Sequence, residues 1–176
     1  MFGIIQNTDL WILEFIQQFL NYPLMDKLMI YITTLGDKGA IWILISIFLL
    51  INKNHRKTGI MVMIALVLST ILGEGIIKHI VQRLRPFATY PSFKLIIGKQ
   101  TMYSFPSGHT ATAFAAAAVL SKEFKKYNIL FFSIAGLIAF SRLYLFVHYP
   151  SDIIVGILLG LFSAWLTYKI FDGTIK

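Results

Sequence analysis

The chain has 176 residues, 57% hydrophobic and only 14% charged, with a net charge of +8 and a mean hydropathy of +0.72. Soluble domains carry about 25% charged and about 45–50% apolar residues, so this composition sets apolar surface against lipid as well as in a core. With no cysteine, a disulfide framework, thiol catalysis and Cys-based zinc or iron–sulfur sites are excluded, and 12 Gly and 5 Pro without a repeat exclude a collagen-like or disordered chain. The basic residues do not gather on one polar stretch. Lys53, Arg56 and Lys57, then Lys122, Lys125 and Lys126, lie between long apolar runs, the pattern of membrane-protein loops and not of a nucleic-acid surface.

In chain order, Leu10, Leu13, Phe15, Ile16, Phe19 and Leu20 form a helical stripe interrupted by Glu14, Gln17 and Gln18. Asn21-Tyr22-Pro23 breaks it, and a second short helix over 24–35 ends at Gly36-Asp37. Neither is long enough to span, so the pair is expected to lie in the interface, with Trp11, Tyr22 and Tyr31 at headgroup depth. The alternative is one kinked span across Pro23. The first twenty residues hold Asp9 and Glu14 but no Lys or Arg, which argues against a cleavable signal peptide. Five apolar segments follow, 37–51, 58–80, 107–120, 127–147 and 150–171, the first and third short for a bilayer. The expected fold is an all-α, polytopic membrane helical bundle. It forms a single domain over 1–176, with interfacial helices in 1–36 and about five transmembrane helices in 37–176, or six spans if the N-terminal pair crosses.

Loop charge predicts the orientation. Placing the Lys53–Lys57 and Lys122–Lys126 loops and the C-terminal tail on the cytoplasmic side gathers half of the 16 Lys and Arg there. The loop over 81–106 and the turn over 148–151 then share the outer face. Arg83, Arg85, Lys94 and Lys99 in that outer loop oppose the rule, and positive charge kept on the wrong side at membrane depth points to function.

Three clusters fall at that outer face. Lys78 and Arg85 are two helical turns apart at the end of the second span and project to the same side if the helix persists to Pro86, with Glu74 one turn before Lys78 as its pairing partner. Phe105-Pro106-Ser107-Gly108-His109-Thr110 reads as a loop entering a helix with Ser107 near the N-cap. That end offers unpaired N–H groups to an anion, Gly108 permits close approach, and His109 stands at the rim. Arg142 lies inside an apolar span and needs an anion. His148, with Asp152 four residues on, has the makings of a nucleophilic imidazole: a carboxylate on one ring nitrogen leaves the other as a free lone pair. Cations, a helix N-terminus and a hydroxyl together describe a phosphoryl site. His55 and His79 complete no motif. The apolar stretch 93–97 of the outer loop is expected to dip into lipid and admit an acyl or prenyl chain.

The strings K-x6-R-P, P-S-G-H and S-R-x5-H-x3-D, in that order, resemble the type 2 phosphatidic acid phosphatase superfamily over residues 78–156, with every motif position filled. The resemblance implies that His148 attacks phosphorus to form a phosphohistidine while Asp152 holds its ring. It implies that His109 protonates the leaving oxygen and then helps water to hydrolyse the intermediate. Lys78, Arg85, Arg142, the Ser107 hydroxyl and the Gly108 N–H would bind the phosphoryl oxygens, with no metal and no cofactor required. The short chain and outward site are similar to small bacterial undecaprenyl-diphosphate phosphatases of the bacitracin-resistance type, which act on a membrane lipid substrate. Phosphatidic acid or phosphatidylglycerol phosphate is the alternative substrate. A vanadate-dependent haloperoxidase and a non-catalytic lipid-binding membrane protein are the alternatives from other classes.

Overall fold

The computed structural model describes residues 2–91, 93, 95–98, 100 and 103–173, and these are all-helical, with no strand among them. Helices α1 (Phe2–Leu20) and α2 (Pro23–Gly36) lead through a single 3₁₀ turn, Asp37–Gly39, into α3 (Ala40–Ile51). Helix α4 (Arg56–Thr70) continues through a π-helical stretch, Ile71–Ile77, into the one-turn helix α5 (Lys78–Val81). The short α6 (Pro86–Thr89) begins the long loop, and α7 (Gly108–Glu123), α8 (Asn128–Tyr144) and α9 (Pro150–Gly173) complete the chain.

Helix α7 is the centre of the bundle, packed against α4, α8 and α9. Ala115, Ala116 and Ala117 of its alanine run are fully buried beside Trp42, Val62 and Ile138. Small side chains let neighbouring helices approach closely where lipid offers no hydrophobic drive for association. On α9, Gly156 and Gly160 face α7 so tightly that a Cβ at Gly156 would lie 2.9 Å from the Ser107 carbonyl, and one at Gly160 would meet the Ala111 carbonyl. At 16 residues α7 is about 24 Å long, shorter than a hydrocarbon core of about 30 Å.

Among the described residues, four helical runs are long and apolar enough to cross a membrane: Pro23–Ile51, Arg56–Thr89, Lys125–Tyr144 and Pro150–Asp172. The protein is a multi-pass membrane helical bundle. Large apolar side chains such as Leu44, Phe48, Ile129 and Leu158 point outward from α3, α8 and α9, as a lipid-facing surface requires. One expectation shifts. The helix expected over 24–35 does not stand apart: left-handed Lys38 (φ 52°) and Gly39 (φ 72°) turn α2 directly into α3, giving one apolar run of 29 residues. Phe93, Leu95, Ile96 and Ile97 of the apolar loop stretch pack onto the protein and stay half-buried. Phe93 stacks on Phe146 at 4.3 Å, and Leu95, Ile96 and Ile97 lie against the cluster of Ile16, Met29 and Val147. Lys94 and Lys99 fall outside the described residues.

The basic loops meet at one end. His55 faces Glu123 at 3.6 Å, Lys57 lies over the Phe171 ring at 5.8 Å, and Lys122 over the Tyr168 ring at 3.7 Å. The motif residues gather where α4 has travelled the length of the bundle away from that end.

Candidate active site

Lys78 opens α5 at the end of the π-helical stretch, a geometry frequent at functional sites. It is 2% exposed and donates to Glu74 Oε1 at 2.6 Å, so the expected pair forms. Helix α5 stops at Val81, however, and does not persist to Arg85. Gln82 takes the left-handed conformation (φ 48°) and its N–H caps the Lys78 carbonyl. The chain then runs extended to Arg85, and Pro86, lacking an N–H, starts α6 instead of ending a helix. Arg85 still reaches the site: its Nη1 donates to the Val147 carbonyl at 2.8 Å and lies 3.2 Å from His148 Nε2.

Ser107 is the N-cap of α7. Its Oγ accepts from the Thr110 hydroxyl at 2.9 Å and from the Thr110 N–H at 3.4 Å, and its own N–H donates to the Asp152 carbonyl at 3.1 Å. Gly108 follows at the first turn, where a Cβ would collide with the Glu74 carboxylate, so only glycine allows an anionic group this close to the helix end. Arg142, in the last turn of α8, donates to Thr33 Oγ1 on α2, and its buried Nε has no hydrogen-bond partner among the described residues. A buried guanidinium N–H of this kind can donate to an anionic acceptor.

Between α8 and α9 the backbone turns at Phe146 (φ 58°), and α9 begins at Pro150. His148, 1% exposed, presents Nδ1 to Asp152 Oδ2 at 3.4 Å, and the same oxygen accepts the Tyr149 N–H at 2.9 Å. An ionised carboxylate only accepts, so Nδ1 carries the proton and Nε2 keeps its lone pair. Burial, then the charges of Arg85, Arg142, Lys78 and His109, holds the His148 imidazole well below its ordinary 6.5 and hence neutral.

Of the eight residues named from the sequence, Lys78, Arg85, Gly108, His109, Arg142 and His148 line one cavity of about 520 Å³. Asp152 lies behind His148, and Ser107 is fully buried beneath the mouth of α7. Neutral Nε2 among guanidinium and ammonium groups can attack a phosphorus atom whose oxygens those cations hold.

Three polar residues joined to this site were not singled out by their sequence. Asp37 lines the cavity and its Oδ1 lies 2.8 Å from His109 Nε2. Arg83, noted only as a misplaced charge, contacts Asp152 Oδ1 and Asp9 Oδ2, each at 2.8 Å, and its guanidinium lies 3.7 Å from the centre of the Tyr149 ring. Asp9, 3% exposed on α1, also accepts the Ser151 N–H at 2.9 Å and so caps the start of α9. Only the charge excess of the outer loop hinted at Arg83. Nothing local marked either aspartate.

Residues 56–176 match the PAP2 superfamily. The chain belongs to that superfamily. Its relatives place it in the membrane branch. It is 36% identical to the undecaprenyl-diphosphatase of Sulfolobus acidocaldarius over 154 residues, 86% of this chain and 74% of that one. It is 31% identical to phosphatidylglycerophosphatase B of Bacillus subtilis over 170 residues, 89% of this chain and 80% of that one. The crystal structure of Aquifex aeolicus LpxE superposes with a TM-score of 0.80 at 30% identity, covering 91% of this chain and 94% of that one.

Proposed function

We propose that this PAP2 protein is a metal-independent lipid phosphatase that removes a terminal phosphate through a phosphohistidine on His148, with undecaprenyl diphosphate as its substrate. The observation that carries the mechanism is the buried, neutral His148, whose Nε2 opens into a cavity shared with Lys78, Arg85 and Arg142 while Asp152 holds Nδ1. Nε2 forms the bond to phosphorus as the bond to the leaving oxygen breaks, and His109 gives that oxygen its proton. Water then attacks the phosphohistidine, His109 takes the water proton, and inorganic phosphate leaves. Lys78, Arg85, Arg142, Ser107 and the Gly108 N–H neutralise the phosphoryl oxygens, the task a metal ion performs in kinases. The Sulfolobus relative supports the diphosphate substrate. The Bacillus relative supports phosphatidylglycerol phosphate as a second reading, since the cavity residues recognise phosphate and not a lipid tail. In this proposal the site faces outward, and the basic loops and C-terminus lie in the cytoplasm.

The test is phosphate release by the purified protein from undecaprenyl diphosphate beside phosphatidylglycerol phosphate. Release from the diphosphate is expected to be the faster, and His148→Ala is expected to abolish both. Preference for phosphatidylglycerol phosphate reverses the order of substrates, release from neither sinks the phosphatase reading, and turnover by His148→Ala removes the nucleophile.

A further inference from the structure

His109 is not held by its own helix. Its Nε2 lies 2.8 Å from Oδ1 of Asp37, 72 residues earlier in the chain, on the turn that joins α2 to α3. Two further features fit that turn to the imidazole. Left-handed Lys38 and Gly39 bend the backbone immediately after Asp37, and a non-glycine residue in this region is uncommon enough to mark a constrained turn. Gly36, just before, has no side chain where a Cβ would lie 3.1 Å from His109 Cδ2, so the ring packs against bare backbone. Asp37 also lines the cavity, with its side chain 58% exposed, so the pair stands at the mouth and not in the core.

We infer that Asp37 is the positioning residue of His109, accepting from Nε2–H so that Nδ1 is the nitrogen that gives and takes the proton at the leaving oxygen. This rests on the reading of His109 as the acid. A carboxylate has no proton to donate, so Nε2 carries its hydrogen in both the neutral ring and the imidazolium, and every proton exchange is routed to Nδ1. When the bond from the terminal phosphorus to its bridging oxygen breaks, the Nδ1 proton goes to that oxygen. When water attacks, its proton returns to Nδ1, and Asp37 stays ionised throughout. The cavity already holds Lys78, Arg85 and Arg142, which oppose a further positive charge on His109. An opposite charge in direct contact offsets that opposition. The two histidines thus use opposite nitrogens: His148 is held at Nδ1 and reacts at Nε2, whereas His109 is held at Nε2 and reacts at Nδ1.

The test combines ¹⁵N-imidazole NMR of the full-length protein with turnover of undecaprenyl diphosphate by wild type, Asp37→Asn, Asp37→Glu and His109→Ala. Neutral His109 in the wild type is expected as the Nε2–H tautomer, and Asp37→Asn is expected to lose that single tautomer. General acids contribute about 10²–10⁴-fold, so Asp37→Asn should lower kcat by at least about tenfold, with KM unchanged and partial recovery in Asp37→Glu. The charge-retaining Asp37→Glu also serves if Asp37→Asn fails to fold: wild-type kcat with a displaced tautomer in that variant counts against the inference. A wild-type Nδ1–H tautomer overturns it outright. If His109→Ala is inactive while Asp37→Asn keeps wild-type kcat, the inference falls and the acid assignment stands. If His109→Ala retains full turnover, the acid assignment falls and the inference goes with it.

Discussion

At the scale of single residues, the site is a set of buried cations that repel one another, and in the proposed function a bound phosphoryl group offsets that repulsion. Lys78 and Arg142 are 2% exposed and Arg85 6%, and Lys78 is paired with Glu74. Burying cations is costly, and one consequence of gathering them here can be measured at His148. Its folded-state value is held well below the ordinary 6.5, first by burial and then by Arg85, Arg142 and Lys78. The folded protein therefore binds fewer protons at this site than the unfolded chain once pH falls through about 6.5. That contribution to stability is neutral above this pH and becomes unfavourable below it. In ¹⁵N-imidazole spectra at pH 6, the His148 signal, assigned by its loss in His148→Ala, is expected at its neutral position. A His148 half-protonated near pH 6.5 would mean that the cations do not act on it as the geometry requires. Such a ring would also be a poor nucleophile at that pH.

At the scale of elements, the legible parts of the site were those whose partners are close in sequence. Ser107 as N-cap, Gly108 in the first turn, Glu74 one turn from Lys78 and Asp152 four residues from His148 are all contacts across a few residues, and helix geometry alone specifies them. The stop of α5 at Val81 is not legible, because a left-handed Gln82 carries no strong sequence signal and Pro86 fits a helix start as readily as a helix stop. Asp9 was illegible for a different reason: its partners Arg83 and Ser151 are 74 and 142 residues away. The contact arises only when α1 packs against α9 and α8. In the proposed mechanism this makes α1 a support of the site, since Asp9 holds Arg83 and Arg83 holds Asp152. Asp9→Ala is expected to lower kcat by about tenfold, the scale on which partners supporting a catalytic histidine act. In a double-mutant cycle with Arg83→Ala, the two losses should be markedly less than additive, because both break the same chain of contacts. Full additivity would show that Asp9 acts through its cap of α9 and not through Arg83.

At the scale of the whole molecule, the bundle is polarised. One end collects Lys57, Lys122 and their neighbouring loops, with Lys57 and Lys122 resting on the aromatic rings of Phe171 and Tyr168. The other end carries the cavity with Lys78, Arg85 and Arg142. Both ends are therefore cationic, but in different ways. Lys122, Lys125 and Lys126 are solvent-facing, whereas the cations of the cavity end are buried against the described helices. Retention of positive charge in the cytoplasm acts on exposed loop charges near span ends, so the exposed set is expected to decide orientation and the buried set is not. The absence of cysteine makes this testable without background, because any introduced thiol is unique. Gly98 is exposed with nothing within 4 Å of a Cβ, and Lys125 is exposed at the opposite end. With a membrane-impermeant maleimide added to intact cells, Gly98→Cys is expected to label, and Lys125→Cys only after permeabilisation. The reverse pattern would place the cavity at the cytoplasmic face. The buried cations would then outweigh the exposed loops in setting topology, and the substrate would have to present its phosphate from inside the cell.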